Sequence, residues 1–259
     1  MGQDLLSVLS GSLVGTVLGL IGGGGSILAV PLLVYVVGVT NAHVAIGTSA
    51  VAVGLSALSS LLGHARLGNV RWPCAIMFTT AGIIGAAAGS TLGKAFDGQR
   101  LLFLFGVLML VVSAMMLRRQ HSTASKFVPL SRETARVLVP RLAGIGLATG
   151  TMAGFFGIGG GFLVVPGLIA ATDMPLIAAI GSSLVSVTAF GITTAANYAM
   201  SDLIDWRLVA LFVAGGVGGS FVGGRLAHHL STQKATLTRV FAGIVASAGL
   251  YIIYRGITG

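Results

Sequence analysis

Two glycine clusters hold the residues best placed to do chemistry. Gly22, Gly23, Gly24, Gly25 and Ser26 precede an apolar run ending at Pro31, and Gly157, Gly159, Gly160 and Gly161 precede a similar run ending at Pro166. Glycine disfavours helix by about 1 kcal/mol per residue relative to alanine, and proline removes a backbone donor. A helix broken there exposes N–H groups with no side chain in the way. A short helix restarting near Ser26 or Gly161 would aim free N–H groups and the positive end of its dipole into the gap, and that arrangement suits an anion. Close helix packing is the competing use of the same glycines. A dinucleotide fingerprint is excluded, because Ile27 and Phe162 stand where the third glycine of G-x-G-x-x-G belongs.

Hydroxyl stripes follow each cluster. Ser49, Ser56, Ser60 and His64 recur at helical spacing, as do Ser183, Ser186, Thr194 and Asn197. Such groups bond their own helix or a neighbour, or they line a polar path. Thr48-Ser49 and Ser182-Ser183 stand out because each pair follows a glycine, and they are candidates to hold the anion. His64 is the stripe member able to titrate near neutrality, and Tyr198 is its approximate counterpart. Gly85, Gly89 and Gly93, like Gly215, Gly219 and Gly223, have the spacing of close helix contacts and are read as packing residues. Asp4, Asp97, Glu133, Asp173, Asp202 and Asp205 all read as helix-end or loop residues, so no carboxylate lies deep in an apolar stretch. No nucleophile–base–acid set is recognisable. An enzyme is therefore not expected, nor a metal or cofactor. Cys74 is alone, which excludes an intrachain disulfide.

These residues must be positioned by membrane helices. The 259-residue chain is 55% hydrophobic and 8% charged, against roughly 25% charged in soluble proteins. Residues 5–65, 72–93, 101–117, 142–172, 174–201, 208–224 and 240–254 carry no Asp, Glu, Lys or Arg. A spanning helix needs about 20 apolar residues. The expected fold is an all-α integral membrane protein of about eight hydrophobic segments, near 5–37, 43–65, 72–94, 100–117, 137–172, 176–200, 206–228 and 234–254. The segments beginning near 5 and 137 are too long for one crossing, so each is expected to be broken or re-entrant at its glycines. The N-terminus, Met1-Gly2-Gln3-Asp4, has no basic leader region, so the first segment is expected to be retained.

The chain is one pattern written twice. Residues 22–31 match 157–166, residues 45–49 match 179–183, and Arg71-Trp72 falls opposite Asp205-Trp206, all at a separation near 134 or 135 residues. The expected organisation is an N-terminal repeat over residues 1–118, a basic cytoplasmic linker over 119–140 and a C-terminal repeat over 141–259. Arg118, Arg119, Lys126, Arg132, Arg136 and Arg141 gather around that linker with Glu133 as the one acid. The net charge of +9 therefore reads as a positive-inside topology signal, not as a nucleic-acid surface. The expected partners are the bilayer and a small anion, and a homo-oligomer is compatible. If the first segment of each half spans fully, the repeats are parallel; if it is re-entrant, they are inverted. The sequence leaves both open.

GGGGSILAVP and GIGGGFLVVP, the following AIGTS and AIGSS, and Trp72 and Trp206 at the starts of the third segments together resemble the sulfite exporter TauE/SafE family over nearly the whole chain. The resemblance implies a multi-pass transporter of the bacterial-type inner (plasma) membrane, with about eight segments in two repeats. It also implies small anionic substrates such as sulfite, thiosulfate, organosulfonates and other organic anions. Gly23 stands opposite Ile158, and Ser26 opposite Gly161, so the halves need not contribute equally. The expected function is secondary transport or export of a small anion. An anion channel is the first alternative, and a membrane scaffold or enzyme without transport the second. A channel would pass currents, an enzyme would need embedded His, Asp or Glu clusters, and a scaffold would not need paired breaks. Two expectations follow: both breaks converge on one central site, and export needs no coupled cation.

Overall fold

A computed structural model describes residues 2–21, 23–118, 134–229 and 234–258. Ten α-helices follow one another: α1 (Gly2–Ile21), α2 (Ala29–Pro31), α3 (Ala42–Arg66), α4 (Trp72–Ala95), α5 (Gly98–Arg118), α6 (Ala135–Phe156), α7 (Gly161–Thr172), α8 (Leu176–Ala199), α9 (Trp206–His229) and α10 (Lys234–Thr258). The described residues contain no strand. Among the described residues, seven stretches, in α1, α3, α4, α5, α6, α8 and α9, are long and apolar enough to cross a membrane.

The polarity is arranged for lipid. Ser49, Ser182 and Ser186 are completely buried, whereas Ile84 is 67% and Phe221 65% exposed. An apolar exterior around a core rich in hydroxyls is stable where the surrounding solvent is hydrocarbon.

Helix ends are fixed by local caps. The Asn41 side chain accepts N–H bonds from His43 and Val44 at 2.9 and 3.4 Å, which starts α3. The Asp97 carboxylate accepts from Gln99 and Arg100, both at 3.1 Å, and starts α5. The Asp205 carboxylate accepts from Arg207 and Leu208, both at 3.0 Å, and starts α9. These carboxylates serve free helix N–H groups and complement the positive ends of the dipoles.

Two glycine-faced helix pairs enclose the centre. A Cβ at Gly85, Gly89 or Gly93 of α4 would run into the carbonyl oxygens of Leu147, Thr151 or Phe155 in α6. A Cβ at Gly215, Gly219 or Gly223 of α9 would do the same to Val8, Ser12 or Thr16 in α1. The reading of these glycines as packing residues therefore holds. The numbers rise together in each pair, so α4 and α6 are parallel, as are α1 and α9. The opposite holds elsewhere. Gly47 lies against Tyr198 while Gly54 lies against Gly191, so α3 and α8 are antiparallel. Gly256 lies against Phe103 and the Ser113 hydroxyl donates to Ala242 O at 2.7 Å, so α5 and α10 are antiparallel too. Of the spanning helices, α3 and α8 are the most buried.

One expected boundary differs. Helix α6 starts at Ala135, so residues 135–140, assigned to the linker, are already helical. Arg136, Pro140 and Arg141 occupy its first turns, outside the apolar run that marked the boundary. Residues 119–133 lie outside the described residues. A short helix does restart near Ser26, but of mixed type: 3-10 over Gly23–Leu28, α over Ala29–Pro31 and π over Leu32–Val36. The glycines weaken α propensity. Pro31 has no N–H to give, and the turn beyond it closes with a wider bond, Val37 N–H to Leu32 O.

Candidate functional site

Each glycine cluster turns the chain back on itself. Helix α6 ends at Phe156, Gly157 takes a left-handed conformation (φ 66°), and Gly159 and Gly160 follow at φ 62° and 69°. A side chain is strained in that region. Helix α7 then starts at Gly161, where the sequence placed it, and folds back: Gly160 meets Ala153, and Gly167 meets Ile145. In the first half Gly25 lies against Leu18 and Val14, so the 3-10 segment folds back along α1 in the same way. Gly22 lies outside the described residues, while Gly23, Gly24, Gly25 and Ser26 all belong to the 3-10 segment.

The two hairpins touch each other, through α7 and the 3-10 segment. They do so beside the crossing of α3 and α8, where Gly54 and Gly191 meet back to back. A Cβ on Gly159 would lie 3.1 Å from Val53 Cγ1 and 3.3 Å from Val187 Cγ1. Those valines are 134 positions apart, the separation at which the sequence repeats. Gly160 O accepts the N–H groups of both Leu163 and Val164, at 2.9 Å each. The earlier N–H groups of α7, from Gly161 and Phe162, have no intrahelical acceptor. Four backbone donors, from Gly159 to Phe162, thus lie at a turn whose glycines let Val53, Val187 and Ala153 pack directly against the backbone. Such an array is chemically suited to an anion.

The predicted hydroxyls divide into three groups. Ser49 Oγ lies 2.8 Å from Ile46 O and 3.1 Å from Gly157 O, so it can tie α3 to the second break. Ser183 donates to Ile180 O in its own helix at 2.8 Å. Thr48 and Ser182 instead accept backbone N–H groups at the starts of distant helices: Asp205 N–H to Thr48 at 3.0 Å, and Arg71 N–H to Ser182 at 2.8 Å. Both anchor a loop, and the sequence offered no sign of it.

Asn197 and His64 lie away from the hairpin tips. The Asn197 amide donates to Ser90 and Thr91, each at 2.8 Å, and so clamps α8 to α4. His64 Nδ1 is 3.4 Å from the Asn69 amide near the end of α3. Lys94 was missed by the sequence reading. Its ammonium donates to Asn197 O at 2.9 Å and Ser201 Oγ at 2.8 Å, and sits 5.9 Å from the centre of the Tyr198 ring. The available signal was its position as the one charge ending the uncharged run over residues 72–93. Among the described residues no group of three His, Cys, Asp or Glu side chains is arranged to hold a metal, and Cys74 is buried.

Seven apolar spans around two touching, broken-helix hairpins define a polytopic membrane protein of transporter type. The chain belongs to the sulfite exporter TauE/SafE family, whose sequence profile matches residues 7–252. A protein of Xylella fastidiosa (strain Temecula1), described as a "probable membrane transporter protein", is 50% identical over 251 residues, covering 97% of this chain and 95% of its own. The "probable membrane transporter protein YunE" of Bacillus subtilis is 28% identical over 272 residues, covering 98% of both chains. A similarly described protein of Haemophilus influenzae is 27% identical over 207 residues, covering 76% of this chain and 74% of its own. No solved structure matches the chain.

Proposed function

We propose that this membrane transporter is a secondary carrier that exports a small anion, sulfite, thiosulfate or an organosulfonate, across the cell inner membrane. The observation that carries the reading is the contact between the two hairpin tips at the α3–α8 crossing. Broken helices that meet at the interface of repeats form the substrate sites of many secondary transporters. Backbone donors at the second tip, together with Ser49, supply the anion's hydrogen bonds. The 3-10 segment of the first half and Ser183 of the second complete the set.

The two halves are an inverted repeat in this proposal. Helices α3 and α8 occupy equivalent places in the sequence and run antiparallel, as do α5 and α10. The same directions put the N- and C-termini on one face and the ends of α5 and the start of α6 on the other. Among the described residues Lys94, Arg100, Arg207 and Arg255 fall toward the terminal face. Arg66, Arg71, Arg118, Arg136, Arg141, Arg225, Lys234 and Arg239 fall toward the opposite face. Eight against four favours a cytoplasmic linker and external termini.

Flux into or out of proteoliposomes tests the function, with sulfite, thiosulfate and an organosulfonate as substrates and with imposed potentials and ion gradients. One negative charge leaving a negative interior is favoured by about 2.3 kcal/mol per 100 mV. Saturable flux that follows the potential alone is expected. Unitary currents in a bilayer would make the protein a channel. Uphill flux driven by a proton gradient at zero potential would refute uncoupled export, and no flux of any sulfur anion would refute the substrate class.

A further inference from the structure

Four buried side-chain polar atoms have no hydrogen-bond partner among the described residues: His43 Nδ1, Ser60 Oγ, Thr194 Oγ1 and Tyr198 Oη. Three of them lie together. His43 opens α3, Thr194 and Tyr198 lie in the last two turns of α8, and those helices are antiparallel. The His43 and Tyr198 ring centres are 6.5 Å apart. Thr194 and Tyr198 are four residues apart, hence stacked on one helix face, and both are completely buried. Val187, seven residues before Thr194, carries the same face back to Gly159.

We propose that Thr194, Tyr198 and His43 form a second anion-binding step, between the hairpin tips and the membrane face that bears the termini. Protein interiors rarely leave a hydroxyl unpaired, and here two lie side by side with an imidazole nitrogen. A threonine in a helix has an easy remedy, a bond to the carbonyl one turn back. Thr188 and Thr193 take it, donating to Leu184 O and Ala189 O at 2.8 Å each, and Thr194 does not. The side chain is held ready for something else.

The donor set identifies the class of ligand. Thr194 and Tyr198 offer two O–H groups near the His43 imidazole, with no carboxylate among the three, and the Lys94 ammonium lies 5.9 Å from the Tyr198 ring centre. That field and those donors fit an oxyanion. Lys94 is already committed to Asn197 O and Ser201 Oγ, so it attracts the anion without locking it in place. An open depression of about 400 Å³, lined by His43 with Asn41, Asp97 and Gln99, lies on the terminal-face side of His43. The Asp97 carboxylate in its wall is engaged in capping α5. The other half has no copy of this step. Ser60 matches Thr194, but His64 stands opposite Tyr198 beside Asn69, and Ile177 stands opposite His43.

This step rests on the anion-carrier reading, and the experiment separates the two. The full-length protein in proteoliposomes is assayed with sulfite and thiosulfate, beside Thr194→Val, Tyr198→Phe and their double variant, which preserve shape. Thr193→Val serves as a control. The half-saturating concentration should rise about tenfold or more in each single variant and further in the double variant. The control should match the wild type, and melting temperatures should not fall. A wild type that moves these anions, with a double variant of unchanged half-saturation, would overturn the second step and leave the carrier standing. The same holds if the variants lose only maximal rate, since that marks a structural role. A wild type that moves no anion would remove the carrier reading itself. Binding of sulfite to the solubilised double variant gives a second readout, and wild-type affinity there would also overturn the proposal.

Discussion

Replacing Gly160 by alanine should damage the second hairpin more than the same change at Gly159, by an amount the geometry sets. Both residues have positive φ, 69° and 62°, and an L side chain there costs about 1–2 kcal/mol. The surroundings differ. A Cβ on Gly160 would lie 2.5 Å from Ala153 Cβ, which holds α7 against α6. The two helices would have to separate by about 1 Å, and overpacking of that kind costs about 1–3 kcal/mol. A Cβ on Gly159 meets valine methyl groups at 3.1 and 3.3 Å, and side chains can give by a few tenths of an ångström. The expected losses are about 2–5 kcal/mol for Gly160→Ala and about 1–2 kcal/mol for Gly159→Ala. Gly144→Ala is the counter-test. It lies within α6, and its Cβ would meet nothing within 4 Å, so it should stabilise by about 0.5–1 kcal/mol. Cys74 is the sole cysteine and is buried, so a thiol-reactive dye reports unfolding of detergent-solubilised protein on heating. Equal melting temperatures for Gly160→Ala and Gly159→Ala, or a Gly144→Ala variant less stable than the wild type, would refute the reasoning.

Three further outcomes are expected. Ser49→Ala should cost about 1 kcal/mol and raise the half-saturating anion concentration about tenfold, because it frees Gly157 O and removes a donor beside the break. Ser183→Ala, whose hydroxyl bonds its own helix, should leave the melting temperature nearly unchanged, and the dye and flux assays together check both. Thr48→Val and Ser182→Ala should each cost about 1–3 kcal/mol by leaving a backbone N–H at Asp205 or Arg71 short of an acceptor. Wild-type stability in both would show that water replaces those bonds. Tags at the two termini should react with an impermeant reagent on intact cells, and a tag in the linker only after permeabilisation; the reverse pattern would refute the orientation drawn from Arg and Lys placement.

The elements were largely legible in the sequence, because membrane spans declare themselves through uncharged runs of fixed length. The function of Gly85, Gly89 and Gly93 was legible as well, since a four-residue spacing puts three glycines on one helix face whatever the partner. The restarts near Ser26 and at Gly161 were both visible in the glycine-to-apolar transition, which did not show that the first would be of mixed 3-10, α and π type. Periodicity could place Asn197 on a polar stripe, and a preceding glycine could single out Thr48 and Ser182, but neither signal says what they face. Their partners, Asp205, Arg71 and Ser90, lie more than a hundred residues away. The same distance hid Lys94 and the environment of Tyr198, and the relative directions of the helices emerged only from contacts between distant segments.

The glycine face of α1 has a consequence for how the protein is made. Its partner, α9, begins roughly 185 residues after α1 ends. At about 5–20 residues per second, α1 waits on the order of 10–40 seconds in the bilayer before the surface it was shaped for is synthesised. Helix α4, by contrast, meets α6 only about 40 residues later. Biogenesis is therefore lopsided. The α4–α6 pair can close early and act as a template, while α1 is held in reserve by lipid or by an insertion factor. Truncation anywhere before α9 leaves the face of α1 that carries Val8, Ser12 and Thr16 uncovered.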